Sequence, residues 1–172
     1  NNVLDYSRIE GGSLKTTFEK TDPIAVIEEI LESLTPLFKQ RNITPPNMAG
    51  FGNFFIINAD AGQLRQVITN LLANAIKFTP PGGKIGIDLA DNGQEIEIVV
   101  SDSGAGIPIQ FHEKIFERFF QIDGSLTREA AGSGIGLTIV KAIVDNHGGR
   151  IFVKSDIGKG SRFHVVLPKR RG

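Results

Sequence analysis

Two asparagines and a lysine share one stripe of a predicted helix in the segment NLLANAIKF, residues 70–78. At 100° per residue, Asn70, Asn74 and Lys77 project from one side of the helix, rotated away from the stripe that carries the leucines. Amide oxygens are hard, neutral ligands that suit Mg²⁺ carried by a polyphosphate, and an ammonium group neutralises phosphates. The alternative is a polar face on a surface helix, and the stripe alone leaves both interpretations open.

Two glycine loops add further candidates for ligand binding. In EIEIVVSDSGAGIP, Asp102 ends a predicted strand, and Gly104 and Gly106 after it permit a tight turn and close approach of a ligand. A carboxylate there can accept a hydrogen bond from an exocyclic amine, although strand-ending Asp-Gly turns are also common. The second loop, GSGIGL at residues 132–137, opens a predicted helix whose free amides would bind phosphate. No GxxxxGK[ST] run exists, so such a site is not a P-loop.

The spacing of apolar residues along the chain predicts the helices that position these candidates. Asp60 is a predicted N-cap with Gln63 at the capping-box position, and Pro80 and Pro81 end the helix that follows. The apolar residues of this helix recur at helical spacing: Leu64, Val67, Ile68, Leu71, Leu72, Ala75 and Ile76. A second helix is predicted after Asp22, and a third over residues 135–147.

The predicted strands complete a two-layer fold. Alternating segments flank turns at residues 91–93 and 158–160, which predicts two β-hairpins. Shorter strands are predicted in LKTTFEK, residues 14–20, and FFIIN, residues 54–58. Helices packing on one face of a mostly antiparallel sheet predict the α+β class, as a two-layer sandwich.

The composition of the chain excludes several classes of protein. The chain has 172 residues and 40% apolar content, which predicts one domain. With 19 basic and 19 acidic residues, no net charge draws it toward nucleic acid or an anionic membrane surface, so we expect neither as a partner. The absence of cysteine excludes disulfides and thiolate metal ligands. No apolar run approaches the roughly 20 residues of a membrane span, and a cytoplasmic location is expected, with membrane anchoring of the parent protein left open.

The order and spacing of four motifs resemble one family, the catalytic, ATP-binding domain of two-component sensor histidine kinases. NLLANAIKFT resembles the N box, DSGAG the G1 box, FERFF the F box and GSGIGL the G2 box. The resemblance covers roughly residues 13–168. It implies the Bergerat sandwich, in which three helices cover one face of a mixed, mostly antiparallel sheet, and it implies ATP and Mg²⁺ as ligands.

The resemblance also implies roles for single residues. Asn74 would coordinate Mg²⁺, Asn70 would support the phosphates and the metal, and Lys77 would contact phosphate. Asp102 would read the adenine amino group, and Phe78 would lie against the base. Other implied nucleotide contacts are Gly104, Gly106, Ile107, Phe119, Gly132, Ser133, Gly134, Ile135, Gly136 and Leu137.

The chain departs from the family pattern after the F box. Many members carry a basic residue where this chain has Gln121. Contact with the γ-phosphate, and with it a catalytic role, is therefore assigned to Arg128. This residue lies in the polar segment QIDGSLTREAAG, residues 121–132, whose composition predicts a lid over the ligand.

The segment VLDYSRIEGG resembles the end of the second helix of the family's dimerisation and phosphoacceptor domain. We therefore predict that residues 1–12 are the truncated end of that helix and that residues 13–172 form the catalytic domain. The implied partners are the helical domain, which makes the full-length protein a homodimer, and the receiver domain of a response regulator. His112, His147 and His164 lack the sequence context of the phosphoacceptor, so none is assigned a catalytic role.

Three rival functions stay open. ATPases of the gyrase and MutL class resemble one another in carrying glutamate, as base for water, where this chain has Asn70, and often aspartate where it has Lys77. Without that carboxylate the site favours transfer to a partner over hydrolysis. The other rivals are a docking module without catalysis and a serine-directed kinase of the same fold.

Overall fold

Helices form one layer and a sheet the other in the computed structural model, which describes residues 15–48, 56–122 and 134–170. In these ranges the elements are β1 (Glu19–Thr21), α1 (Pro23–Arg41), β2 (Ile57–Ala59), α2 (Ala61–Phe78), β3 (Ile85–Asp91), β4 (Glu95–Asp102), two 3-10 turns (Ile109–Phe111 and Lys114–Phe116), α3 (Gly136–Asn146), β5 (Arg150–Ser155) and β6 (Ser161–Pro168). The predicted α+β sandwich is confirmed. The predicted helical end at residues 1–12 lies outside the described residues.

The main sheet has four antiparallel strands in the described residues, in the order β3-β4-β6-β5. Both predicted hairpins, β3-β4 and β5-β6, are present. Within those ranges a parallel bridge joins Thr44 to Lys84, and β1 and β2 form a separate antiparallel pair. The pairing of β4 with β6 sets Asp102 opposite Ser161. The register therefore brings the end of β4, where the DSGAG motif begins, beside the start of β6.

One apolar core joins the two layers. Buried residues of α2 and α3 pack against the main sheet, and buried residues of α1 join the same core through their contacts with α2. The fully buried side chains include Ile27, Leu64, Ile68, Leu71, Leu72, Ile96, Ile98, Val100, Ile139 and Ile143. Burial of this many large apolar side chains is the main favourable contribution to folding. Among the helices of the described residues, none has the length and apolar character needed to cross a membrane.

The start of α2 differs from the predicted capping box. Asp60 Oδ1 accepts a hydrogen bond from Gln63 N at 3.0 Å, so the predicted N-cap is confirmed. The Gln63 side chain does not return to the Asp60 amide; its Nε2 donates to the backbone oxygen of Lys15 and to Thr16 Oγ1. His147 Nε2 accepts from Asp60 N instead. The helix start is thus bound to α3 and to the segment before β1.

Candidate functional site

The α2 helix carries the polar stripe as predicted. Asn70, Asn74 and Lys77 are half-buried on it, and Phe78, the last helical residue, is 48% exposed. Burial lowers the pKa of the Lys77 ammonium, whose Nζ lies 4.8 Å from the centre of the Phe78 ring. A partly desolvated ammonium gains more from an anionic ligand than one fully exposed to water. This end of α2 therefore suits an anion.

Asn70 lies against the beginning of α3. A Cβ atom built on Gly136 would lie 3.5 Å from Asn70 Oδ1. The Nδ2 atom of Asn70 is buried and has no hydrogen-bond acceptor within the described residues. Ile135, at the N-cap position of α3, provides no side-chain cap for the first helical amides. A buried amide donor thus stands beside the positive end of a helix dipole, and an anionic oxygen would pair with both.

A second cluster joins the end of α2 to the loop after β4. Asp102 Oδ1 accepts from Gly104 N at 2.7 Å, and a Cβ on Gly104 would lie only 2.5 Å from the backbone oxygen of Phe78. No larger residue than glycine fits at position 104 without a backbone shift. Gly104 therefore joins the two residues: its backbone packs against the Phe78 carbonyl, and its amide binds the Asp102 carboxylate.

The Asp102 carboxyl is more buried than an ordinary surface aspartate. Burial raises its pKa, and hydrogen bonds from Gly104 and Ser161, the latter through both its amide and its hydroxyl, act in the opposite direction. Ser161 was not a candidate from the sequence. In the sequence, Ser161 is marked only by its position after the Gly158-Lys159-Gly160 turn. The strand pairing that sets it opposite Asp102 has no local sequence pattern.

The F-box segment meets the start of the G2-like loop. Phe119 N donates to Gly134 O at 3.2 Å, and a Cβ on Gly134 would lie 2.9 Å from Phe119 Cα. Gly134 has φ of +66°, and Phe119 adopts a left-handed conformation with φ of +59° although 58% of its surface is exposed. A residue other than glycine held in this conformation carries backbone strain of about 1–3 kcal/mol.

The predicted site residues fall into these three neighbouring contacts. The α2 helix links the Asn70–Gly136 contact to the Phe78–Gly104 contact, and Ile135 is buried at the start of α3 beside the half-buried Leu137. Gly106 and Ile107 lie in the loop after Asp102, where the Ile107 amide donates to Ser155. Three predicted residues, Arg128, Gly132 and Ser133, lie outside the described residues, as does most of the predicted lid.

Comparison with known proteins extends these observations. Residues 59–171 match the family model described as histidine kinase-, DNA gyrase B- and HSP90-like ATPase. The chain is 39% identical over 180 residues to the hybrid signal transduction histidine kinase D of Dictyostelium discoideum, covering 98% of this chain and 11% of that protein. This chain is therefore similar to a small part of a much longer protein.

Two solved structures resemble the fold over nearly its whole length. Full-length ShkA in complex with AMPPNP is 27% identical with a TM-score of 0.83, and the match covers 98% of this chain and 34% of ShkA. Histidine kinase ThkA in complex with the response regulator protein TrrA is 27% identical with a TM-score of 0.78, covering 97% of this chain and 47% of ThkA. In both, the matching part is less than half of the solved chain.

Proposed function

Because this chain belongs to the histidine kinase-, DNA gyrase B- and HSP90-like ATPase family and is the catalytic domain of a sensor histidine kinase, we propose that it binds Mg²⁺-ATP and transfers the γ-phosphoryl group to a histidine. The acceptor histidine belongs to an adjacent helical domain. The relatives are histidine kinases by name, and one solved relative holds a nucleotide analogue.

The buried Nδ2 atom of Asn70, which has no acceptor among the residues that the structure describes, carries the proposal. A buried donor without an acceptor costs about 1–3 kcal/mol, a cost that a bound ligand removes. The Asn70 amide group lies against Gly136, the first residue of α3, and the side chain of the N-cap residue Ile135 does not cap the first helical amides. Phosphate oxygens of a nucleotide would satisfy both donors at once. Lys77, with its lowered pKa, adds positive charge from the next turns of the same helix.

The donor set fits a magnesium ion that arrives on the nucleotide. The described residues contain no group of three histidine or acidic side chains that could hold a metal by themselves. Mg²⁺ bound through substrate phosphates needs only one or two protein ligands and keeps several waters. The amide oxygen of Asn74 would be such a ligand. When bound, the ion would neutralise charge on the phosphates.

The adenine end of the nucleotide fits the second cluster. The Asp102 carboxylate accepts from Gly104 N and from the amide and hydroxyl of Ser161, which leaves about one of its roughly four lone-pair sites for the adenine amino group. The Phe78 ring at the end of α2 is exposed enough to lie against the base. Recognition of an amine by a fixed carboxylate rejects a base that carries a carbonyl at that position.

Catalysis would then depend on position and charge neutralisation. In the transfer, an imidazole nitrogen of the acceptor forms a bond to the γ-phosphorus while the bond from phosphorus to the β,γ-bridging oxygen breaks. ADP leaves, and the imidazole proton passes to solvent. Asn70 and Asn74 are neutral and do not take a proton from water, so the site favours an external nucleophile over hydrolysis.

The partners of this chain follow from the same proposal. Residues 1–12 would be the end of the dimerising helical domain, residues 13–172 the catalytic domain, and the parent protein a homodimer in the cytoplasm or at its membrane. A response regulator would receive the phosphoryl group, as the ThkA–TrrA complex suggests for a relative. Arg128, Gly132 and Ser133 would complete the phosphate contacts.

Transfer to a separate acceptor domain tests this function. The chain is incubated with γ-labelled ATP, Mg²⁺ and a phosphoacceptor helical domain from a related kinase, and acid-labile phosphate on the acceptor is measured. We expect labelling that Asn74→Ala abolishes and the exposed-site variant Lys141→Ala leaves unchanged. Phosphate release without acceptor would favour the gyrase-like rival, and ATP binding with neither activity would favour the docking module.

A further inference from the structure

Ser155, the last residue of β5, connects two loops through its hydroxyl group. Its Oγ accepts a hydrogen bond from Ile107 N at 2.8 Å, in the loop after Asp102. The same Oγ lies 2.7 Å from Gly160 O, in the β5-β6 turn, and 3.2 Å from Ser161 Oγ. One half-buried side chain thus contacts both segments that flank the Asp102 carboxylate.

The direction of each hydrogen bond follows from proton counting. A backbone N–H can only donate and a carbonyl can only accept. Ser155 Oγ therefore accepts a hydrogen bond from Ile107 N and donates one to Gly160 O. The Ser161 hydroxyl donates to Asp102, so no proton lies between the two serine oxygens, which are 3.2 Å apart. Ser155 therefore acts on the carboxylate through its hydrogen bonds to the two backbone segments, and Ser161 binds the carboxylate directly.

Glycine contacts show how closely the two loops fit. A Cβ on Gly106, which has φ of +74°, would overlap the backbone of Asp156, and a Cβ on Gly160 would overlap the backbone oxygen of Asp102. Gly158 N also donates to Ala105 O at 2.7 Å. Because these contacts are between backbone atoms, a small displacement of the β5-β6 turn would displace the loop that follows Asp102.

We propose that Ser155 is a positioning residue for base recognition: its hydroxyl locks the β5-β6 turn to the loop after Asp102 and so fixes the carboxylate that receives the adenine amine. This inference rests on the proposed function, because it needs Asp102 to read the base. Ser155 acts through the backbone of Ile107 and Gly160 and does not itself touch the nucleotide.

The effect of Ser155 should appear in base discrimination. Loss of the hydroxyl leaves the Ile107 amide and the Gly160 carbonyl without their partner, which loosens the loop around Asp102. A misplaced carboxylate loses its hydrogen bond to adenine but keeps the phosphate contacts of α2 and α3. A merely structural role would instead weaken the binding of every nucleotide by the same factor.

The test compares ATP with inosine triphosphate, which has a carbonyl in place of the adenine amine. Affinities for both are measured by titration calorimetry in Mg²⁺ for the wild type, Ser155→Ala, and the matched pair Ser155→Thr and Ser155→Val. The last two side chains have nearly the same shape and differ by the hydroxyl, so they keep the test valid if Ser155→Ala folds poorly. Ser33→Ala on α1 is the control for loss of a serine hydroxyl that donates to a backbone carbonyl, Ile30 O, outside this network.

We expect the wild type to prefer ATP by about 10- to 100-fold, the range of one hydrogen bond to a charged group. Ser155→Ala and Ser155→Val should lose a factor of about 3 to 10 in this preference, while Ser155→Thr and Ser33→Ala keep it. An unchanged preference in both Ser155→Ala and Ser155→Val would overturn the role of Ser155 and leave the proposed function intact. A wild type that binds both nucleotides equally, or neither, would overturn base reading by Asp102 and this inference together.

Discussion

The imidazole of His147, after the end of α3, accepts a hydrogen bond at Nε2 from the backbone N–H of Asp60, the N-cap of α2, at 3.1 Å. Because that N–H can only donate, Nε2 carries no proton. Nδ1 must then hold the proton and donate it to Ile143 O at 2.8 Å. The ring is 5% exposed and packs against Phe18, with centroids 5.1 Å apart. His147 thus fixes α2, which carries the polar stripe, to α3, whose first residue lies against Asn70.

His147→Ala should destabilise the fold by about 2–4 kcal/mol, because it removes a buried ring and leaves the Asp60 amide unpaired. The free energy of unfolding is measured by denaturant titration. Lys141→Ala, which removes an exposed i,i+4 ion pair on the same helix, should change it by no more than about 0.5 kcal/mol. Equal values for the two variants would show that the His147 contacts contribute little.

Asp102 should make nucleotide affinity depend on pH. Burial raises its pKa from the ordinary value of an aspartate, and the adenine amine needs the ionised form as acceptor. Affinity for ATP should therefore fall as the pH drops through this raised pKa. Calorimetric titrations from neutral to mildly acidic pH would measure the change, with Asp102→Asn as the control that binds weakly at every pH. A wild-type profile as flat as that of Asp102→Asn would contradict the assigned role.

The same raised pKa predicts the effect of Asp102 on stability. The folded state binds the proton more tightly than the unfolded chain, so this group stabilises the fold when protonated and that contribution is lost as pH rises through the raised pKa. The melting temperature of the wild type, relative to that of Asp102→Asn, should therefore fall as the pH rises through the raised pKa. A difference that grows in favour of the wild type with rising pH would contradict the raised pKa.

Phe119 offers a direct measure of backbone strain at the site. Its φ of +59° favours glycine, so Phe119→Gly should be more stable than Phe119→Ala by about 1 kcal/mol. Both variants lose the exposed ring and should bind nucleotide less tightly than the wild type. The comparison needs only thermal or denaturant unfolding of the two variants. If Phe119→Ala were the more stable, the left-handed conformation would carry no strain.

Hydrophobic spacing and turn chemistry predicted much of this fold. The α2 helix, its Asp60 cap and both hairpins were expected from local pattern, and each is observed. The first strand is shorter than the predicted segment 14–20. It covers Glu19–Thr21, and before it Thr17 N donates to Asp60 Oδ2 and not to a neighbouring strand. A side chain distant in sequence competed there with strand pairing.

The candidate site was predictable where motifs are local and not where contacts cross the fold. The stripe of Asn70, Asn74 and Lys77 needs only helical periodicity. The support of Asp102 by Ser161 and Ser155 depends on strand register and on hairpin packing, and no short pattern encodes either. The His147 contact likewise joins residues that are 87 positions apart.

Titration of a non-hydrolysable ATP analogue into the chain, with Mg²⁺ and with a chelator, tests the central proposal most directly. The wild type should bind with Mg²⁺ and at least about tenfold more weakly with chelator, because the phosphates would face the site without a neutralising ion. Asn74→Ala should bind equally weakly under both conditions, and Lys141→Ala should match the wild type. Wild-type binding that does not depend on Mg²⁺, or binding by Asn74→Ala equal to that of the wild type, would contradict the metal site. No binding at all would contradict the proposed function.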